Sequence, residues 1–327
     1  MFSTAGNGDV VEMSDTSAHE LSQMIWELER GEFSLDRIET FYERAPKEGP
    51  LFQGVARCAV VGAIATGHVV LFDRVRTDLR KRILERMASR GDNAGGTPPC
   101  VCGEEIVEIW LQQLLHIRGG ESSGVKDVLS RQVPVPWRPV VAGLKIHMCR
   151  ECGELKVAYV IGMMLLEVCP LGPWGEWFRL YLLKDCAEIC RDLGWEDESR
   201  RLFRCLVDAA KAHGAIRPFL GLAMGPKTPV EQMLAAEAPE LLHRVRRQSD
   251  DYLHKLVFFH NRLTAGRITD RLNVREFHLA SLLKGGLSYK ESAQNMHVSP
   301  GRINLIVMNI YKKLNIHSRE ELKELVW

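Results

Sequence analysis

The chain has 327 residues, room for two or three domains, and 46% of them are hydrophobic, ample for buried cores. Its 43 lysines and arginines almost cancel 42 aspartates and glutamates, leaving a net charge of +1, so no bulk basic charge advertises nucleic acid and any DNA contact must come from a local patch. Nine cysteines point to reduced thiols rather than a disulfide framework.

The opening residues, MFSTAGNGDVVEMSDTSAHE, lack the basic and apolar segments of a secretion signal. They read as a frayed lead-in over 1–18, with a cytoplasmic location expected. HELSQMIWELERG and SLDRIETFYERA then repeat apolar residues at three and four spacing, the signature of amphipathic helices. The next run, VARCAVVGAIATGHVVLF (55–72), reaches the minimum length of a membrane span. It carries Arg57, Thr66 and His68, is rich in Ala and Gly, and runs straight into the charged DRVRTDLRKRILERM. Two packed helices meeting near Gly67, and no membrane, are expected.

Cys100 and Cys102, with Cys149 and Cys152 and nearby His147, form a C-x-C and a C-x-x-C pair. Zinc sites favour two-residue spacing within each pair, which one pair has, so no metal is expected. EEIVEIWLQQLLHI and WFRLYLLKDCAEICRDLG are again helical, and the Gly/Pro clusters at 45–50, 91–99, 118–124, 133–139 and 170–175 separate such segments. Glu104-Glu105 and Glu196-Asp197-Glu198 begin helices, where carboxylates suit the dipole, and are expected to be solvated.

Two helix pairs share a grammar. Gly153 is followed five residues later by Ala158, and Gly194 by Ser199, while Cys149 and Cys190 each lie four residues before their glycine. This resembles the tetratricopeptide pattern, although the 41-residue offset between the glycines exceeds the usual repeat of about 34. The cysteines then act as small core residues. GLAMGPKT (221–228) fails as a phosphate loop because Pro226 separates Gly225 from Lys227 and removes a donor. With no hydrolase, metalloprotease or dinucleotide motif present, neither an enzyme nor a cofactor is expected.

The last sixty residues mark their helix starts explicitly. Asn273 with Glu276, Ser288 with Glu291 and Ser318 with Glu321 have capping-box spacing, and Ser299-Pro300 is an N-cap followed by a first-turn proline. Ile303, Val307, Ile310 and Leu314 are spaced to face a core, which leaves Arg302, Asn304, Leu305, Met308, Asn309 and Lys312 outward.

This stretch resembles the LuxR-type (GerE-like) helix-turn-helix. Matching positions include Leu272, Arg275-Glu276, Gly286-Leu287-Ser288, Lys290-Glu291, Ala293, Val298-Ser299, Ile303, Ile310-Tyr311, Lys313-Leu314, Ile316, Arg319 and Leu322. RRLFRCLVDAAKAHGAIRPFL upstream looks like the tail of the MalT-like large activators, whose nucleotide-binding domain has no counterpart here. The resemblance implies an all-α chain: a tetratricopeptide-like helical repeat domain over 19–245, a helical linker over 246–267 and a four-helix LuxR-type domain over 268–327. It also implies a DNA-binding transcriptional regulator in which the third helix enters the major groove of double-stranded DNA.

Arg302, Asn304, Leu305 and Met308 are the expected base-facing residues. Arg275, Lys290, Ser299, Asn309, Lys312 and Lys313 are the expected phosphate contacts. The family's Thr-Val-Lys-x-His has become Arg302-Ile303-Asn304-Leu305-Ile306, so Asn304 replaces a base-contacting lysine. Family members commonly act as homodimers, with the last helix, from Arg319 to Val326, as the expected contact, and the helical domain would sense a protein or small ligand. A second function stays open: an adaptor whose third helix meets protein, because Leu305, Ile306 and Met308 are apolar.

Overall fold

The structure, a computed structural model, describes residues 15–88, 101–115, 132–133, 137–169, 173–220, 222, 229–264, 272–284, 287–296, 298–314 and 316–325. Among these residues there are fifteen α-helices, one short 3-10 turn (Arg217–Phe219) and no strand. The phosphate-loop-like 223–228, Cys100 and nearly all of the lead-in lie outside the described residues.

The first core joins α1 (Asp15–Arg30), α2 (Leu35–Arg44), α3 (Gly49–Thr66), α4 (Val69–Ala88) and α5 (Gly103–Leu114). Helix α2 shows how local code becomes packing. Ser34 Oγ accepts the Arg37 N–H at 3.3 Å to start the helix, and the three-four spacing of Ile38, Phe41 and Tyr42 puts all three inside. Helix α3 is buried nearly all round, with Phe52, Val55, Val60 and Ile64 at its centre, each side chain contributing about 1.5–3 kcal/mol by leaving water.

By length and composition α3 could cross a membrane, but 72% of its apolar window is buried inside the protein. The run 55–72 is broken where expected. Gly67 takes φ +80°, and its N–H and that of His68 return to Ile64 and Ala63 carbonyls, closing the helix with the left-handed turn that glycine adopts without penalty.

The second core stacks α6 (Arg138–Glu151), α7 (Leu155–Val168), α8 (Pro173–Asp192), α9 (Glu196–His213) and α10 (Pro229–Glu237). Sequence neighbours pack on one another in order. The two turn glycines noted above have the same geometry: Glu154 N–H returns to Cys149 O at 2.8 Å around Gly153, and Trp195 N–H to Cys190 O at 2.8 Å around Gly194. Ala158 and Ser199 are both buried, and Ser199 Oγ donates to Ala187 O at 2.8 Å. Gly162 lets α7 approach α8 closely, since a Cβ there would lie 2.3 Å from Cys186 Sγ.

Buried polar groups fasten the two cores together. The Glu29 carboxylate in α1 accepts Trp177 Nε1–H at 2.7 Å and Tyr181 O–H at 2.8 Å, both from α8. Arg57, partly buried, places its guanidinium 3.6 Å from the Trp177 ring centre. Within the second core, Arg150 in α6 pairs with Glu188 at 3.5 Å and Asp192 at 3.2 Å in α8.

Helix α11 (Pro239–Thr264) is one unbroken helix of 26 residues that begins before the stretch expected as a linker and contains most of it. Leu241, Leu242 and Val245 lie in the second core, Leu256 and Phe259 in the first. Lys255 Nζ donates to Ala65 O at 2.7 Å, and Arg246 and Arg262 pair with Glu231 and Asp73.

One expectation about charge fails. Glu104 is wholly buried, with Arg86 3.7 Å away, because its helix packs against α3 and α4 from its first turn. Glu105 instead caps that helix, accepting the Cys102 N–H at 2.8 Å. Of the paired cysteines, Cys102 and Cys149 are buried and Cys152 is exposed; among the described residues no three potential ligands gather for a metal.

Candidate nucleic-acid interface

The C-terminal unit contains α12 (Val274–Lys284), α13 (Tyr289–Asn295), α14 (Pro300–Leu314) and α15 (Arg319–Leu325). Its helix starts are built from local sequence. Glu276 accepts the Asn273 N–H at 2.8 Å while Asn273 Oδ1 accepts the Glu276 N–H at 3.0 Å. Ser288 and Glu291 repeat the exchange at 2.7 and 3.2 Å, and hydrogen bonding to Ser288 lowers the Glu291 pKa. Ser318 Oγ accepts the Glu321 N–H at 3.1 Å and donates to its carboxylate at 2.9 Å. Ser299 Oγ takes the Arg302 N–H at 3.3 Å, just ahead of Pro300. Six backbone donors at helix starts are thus met by side chains three residues away.

The core is small and specific: Ile303, Val307, Ile310 and Leu314 from α14 meet Leu279, Ala280 and Leu283 from α12, with Ala293, Ile316 and Leu322 closing it. Burying that face of α14 fixes what the opposite face shows. Arg302, Asn304, Leu305, Met308, Asn309 and Lys312 are all exposed, Leu305 by 55% and Met308 by 66%. Arg275 near the start of α12, Lys290 in α13 and Ser299 in the turn are exposed as well.

Lys313 stands apart from this set. Its Nζ donates to Glu276 Oε2 at 2.6 Å, so its charge is engaged inside the domain, against a carboxylate that is itself buried. Arg319 also acts inward: its guanidinium donates to Leu283 O at the end of α12, Nε at 3.0 Å, and to Leu287 O just before α13 at 3.0 Å. Leu322 is fully buried, so α15 spends its first turns on the domain's own core.

Sequence reasoning missed two further features. The Tyr289 and Tyr311 hydroxyls meet at 3.5 Å, joining α13 to α14, and burial together with that bond raises the Tyr311 pKa. His260 in α11 packs at a tilt beside Phe277 of α12, with ring centres 5.9 Å apart, and its Nδ1–H donates to Leu115 O at 2.7 Å. Burial lowers the His260 pKa. The unit is therefore seated on the helical region through α12, while the face carrying Arg302 and Asn304 points to solvent.

A helix with an exposed side of one cation, one amide and two apolar side chains, flanked by further exposed cations, has the groups that read base edges and hold phosphates. Residues 270–326 match the family model described as GerE, bacterial regulatory proteins, luxR family. No curated protein and no solved structure matches the chain.

Proposed function

We propose that this chain is a transcriptional regulator that binds double-stranded DNA through α14, laid in the major groove. The carrying observation is the exposed set Arg302, Asn304, Leu305 and Met308, held in one orientation by the buried Ile303, Val307, Ile310 and Leu314. Arg302 can address guanine O6 and N7, Asn304 adenine N6 and N7, and Leu305 or Met308 a thymine methyl. Arg275, Lys290, Ser299, Asn309 and Lys312 supply phosphate contacts around that helix, and Lys313 does so only by leaving Glu276.

The family match supports this reading, and the helical region would act as its sensing or protein-interaction part. The repeated turn geometry at Gly153 and Gly194, each followed by a small buried residue, supports a tetratricopeptide-like relationship for α6–α7 and α8–α9, as in the MalT-like activators. On this reading the protein is cytoplasmic, dimeric on DNA and not an enzyme. Exposed Leu305 and Met308 favour one rival, an adaptor whose α14 contacts protein.

Selection from random DNA duplexes with the full chain separates the two. Enrichment of a defined sequence is expected. No enrichment, and no binding even at low salt, would leave the adaptor.

A further inference from the structure

Helix α7 carries an apolar ridge that nothing among the described residues covers. Its Ala158, Gly162 and Leu166 are buried against α6 and α8, while Val157, Val160, Met164 and Val168 are 46, 54, 65 and 73% exposed. Spaced by three, four and four residues, these side chains form one continuous line on the outer face. A contiguous exposed apolar line of this kind marks an interaction surface rather than scattered surface residues.

The charges beside the line indicate what covers it. Lys156 and Glu167 are both exposed, lie near opposite ends of the helix, and share one flank of the apolar ridge. We propose that this face pairs with α7 of a second copy of the chain, antiparallel and isologous. A twofold axis between two antiparallel helices reverses their direction but keeps the same flank on the same side. Lys156 then meets Glu167 of the partner subunit, and the symmetry makes the contact twice. The same register sets Val157 against Val168 of the partner subunit and Val160 against Met164 of the partner subunit. The midpoints of all three pairings fall within half a residue of Gly162, so one alignment satisfies charge and apolar contact together. A parallel pairing would instead put the two charged flanks on opposite sides of the seam, leaving Lys156 and Glu167 with no opposite charge across it.

This surface does not depend on the DNA-binding reading. One 14-residue helix per chain covers an area at or below the roughly 1,200 Å² of the smaller stable interfaces, so a Kd on the order of micromolar is expected.

Sedimentation velocity of the full chain without DNA tests the proposal. The wild type should move from monomer to dimer across the micromolar range. Met164→Glu and Lys156→Glu should each weaken self-association by about tenfold or more. The double exchange Lys156→Glu with Glu167→Lys should restore it to within about twofold, because opposite charges face each other again. All three positions are exposed, so melting curves should not change, and if Met164→Glu fails to fold the charge exchange alone decides between pairing and no pairing. A chain that stays monomeric to about 100 µM overturns the proposal and gives the ridge to another protein. So does a dimer that persists in Met164→Glu, or a double exchange that does not restore pairing.

Discussion

Lys313 Nζ and the Asn273 N–H donate to the same oxygen, Glu276 Oε2, at 2.6 and 2.8 Å, so the end of α14 is tied to the beginning of α12 through one carboxylate. Glu276→Ala removes the cap and the ion pair together and should destabilise the C-terminal unit by about 2–3 kcal/mol in denaturant unfolding. Lys313→Met should cost about 1 kcal/mol and leave the salt dependence of DNA binding unchanged, whereas Lys290→Ala should reduce its slope by roughly one unit. Equal slope changes for the two lysines would mean that Lys313 leaves Glu276 when DNA arrives.

Asn304→Lys should raise affinity for all duplexes and change the selected base at one position in each half-site. Lysine adds a cation at the groove and favours guanine acceptors, whereas asparagine pairs with adenine, a difference of about 1–3 kcal/mol for a good contact. Parallel selections with wild type and variant check this. Identical selected sequences would remove position 304 from base reading.

Much of this interface could be read in the sequence because its determinants are local. A cap and the Glu it exchanges with lie three residues apart, and the buried side of α14 follows from three-four spacing; both survived as expected. The engagement of Lys313 could not be read, since its partner is 37 residues away and spacing within α14 says only that the side chain points outward. The same holds for Glu29, whose Trp177 partner is 148 residues distant. Glu104 misled for a related reason: an acidic pair at a helix start suits the dipole whether exposed or not, and the packing of α5 against α3 and α4 decided its burial.

Stability should depend on acid through Glu188. Burial pushes its carboxyl up, but Arg150, with Lys184 and Arg191, outweighs burial and leaves the group at about 2. A carboxylate depressed on folding stabilises above its unfolded pKa of about 4.3, and that stabilisation is lost as pH falls from there toward 2. Arg150→Met should therefore cost about 2–3 kcal/mol at pH 7, with the gap to wild type narrowing between pH 4 and pH 2. Denaturant titrations at several pH values measure it; a gap independent of pH would show that Arg150 acts through packing.

Alkylation should divide the cysteines by burial. Burial holds the Cys186 thiol at about 12 and Cys190 at about 11, leaving at pH 8 on the order of one Cys186 thiolate in ten thousand. Cys152 is exposed and should react with iodoacetamide first, as read by peptide mass mapping. Rapid labelling of Cys186 in folded protein would contradict the α7–α8 packing.

Helix α11 turns the architecture into a lever. Its 26 residues make a rod about 39 Å long, gripped near one end by the second core and near the other by the first, with His260 and Phe277 coupling its far end to α12. A rod of that length tilted by about 5° carries its tip about 3 Å, close to the spacing of one base-pair step of roughly 3.4 Å. Because Leu256 and Phe259 near that far end are buried in the first core, a tilt of that size must also repack the first core, so the packing of that core and the position of α12 change together.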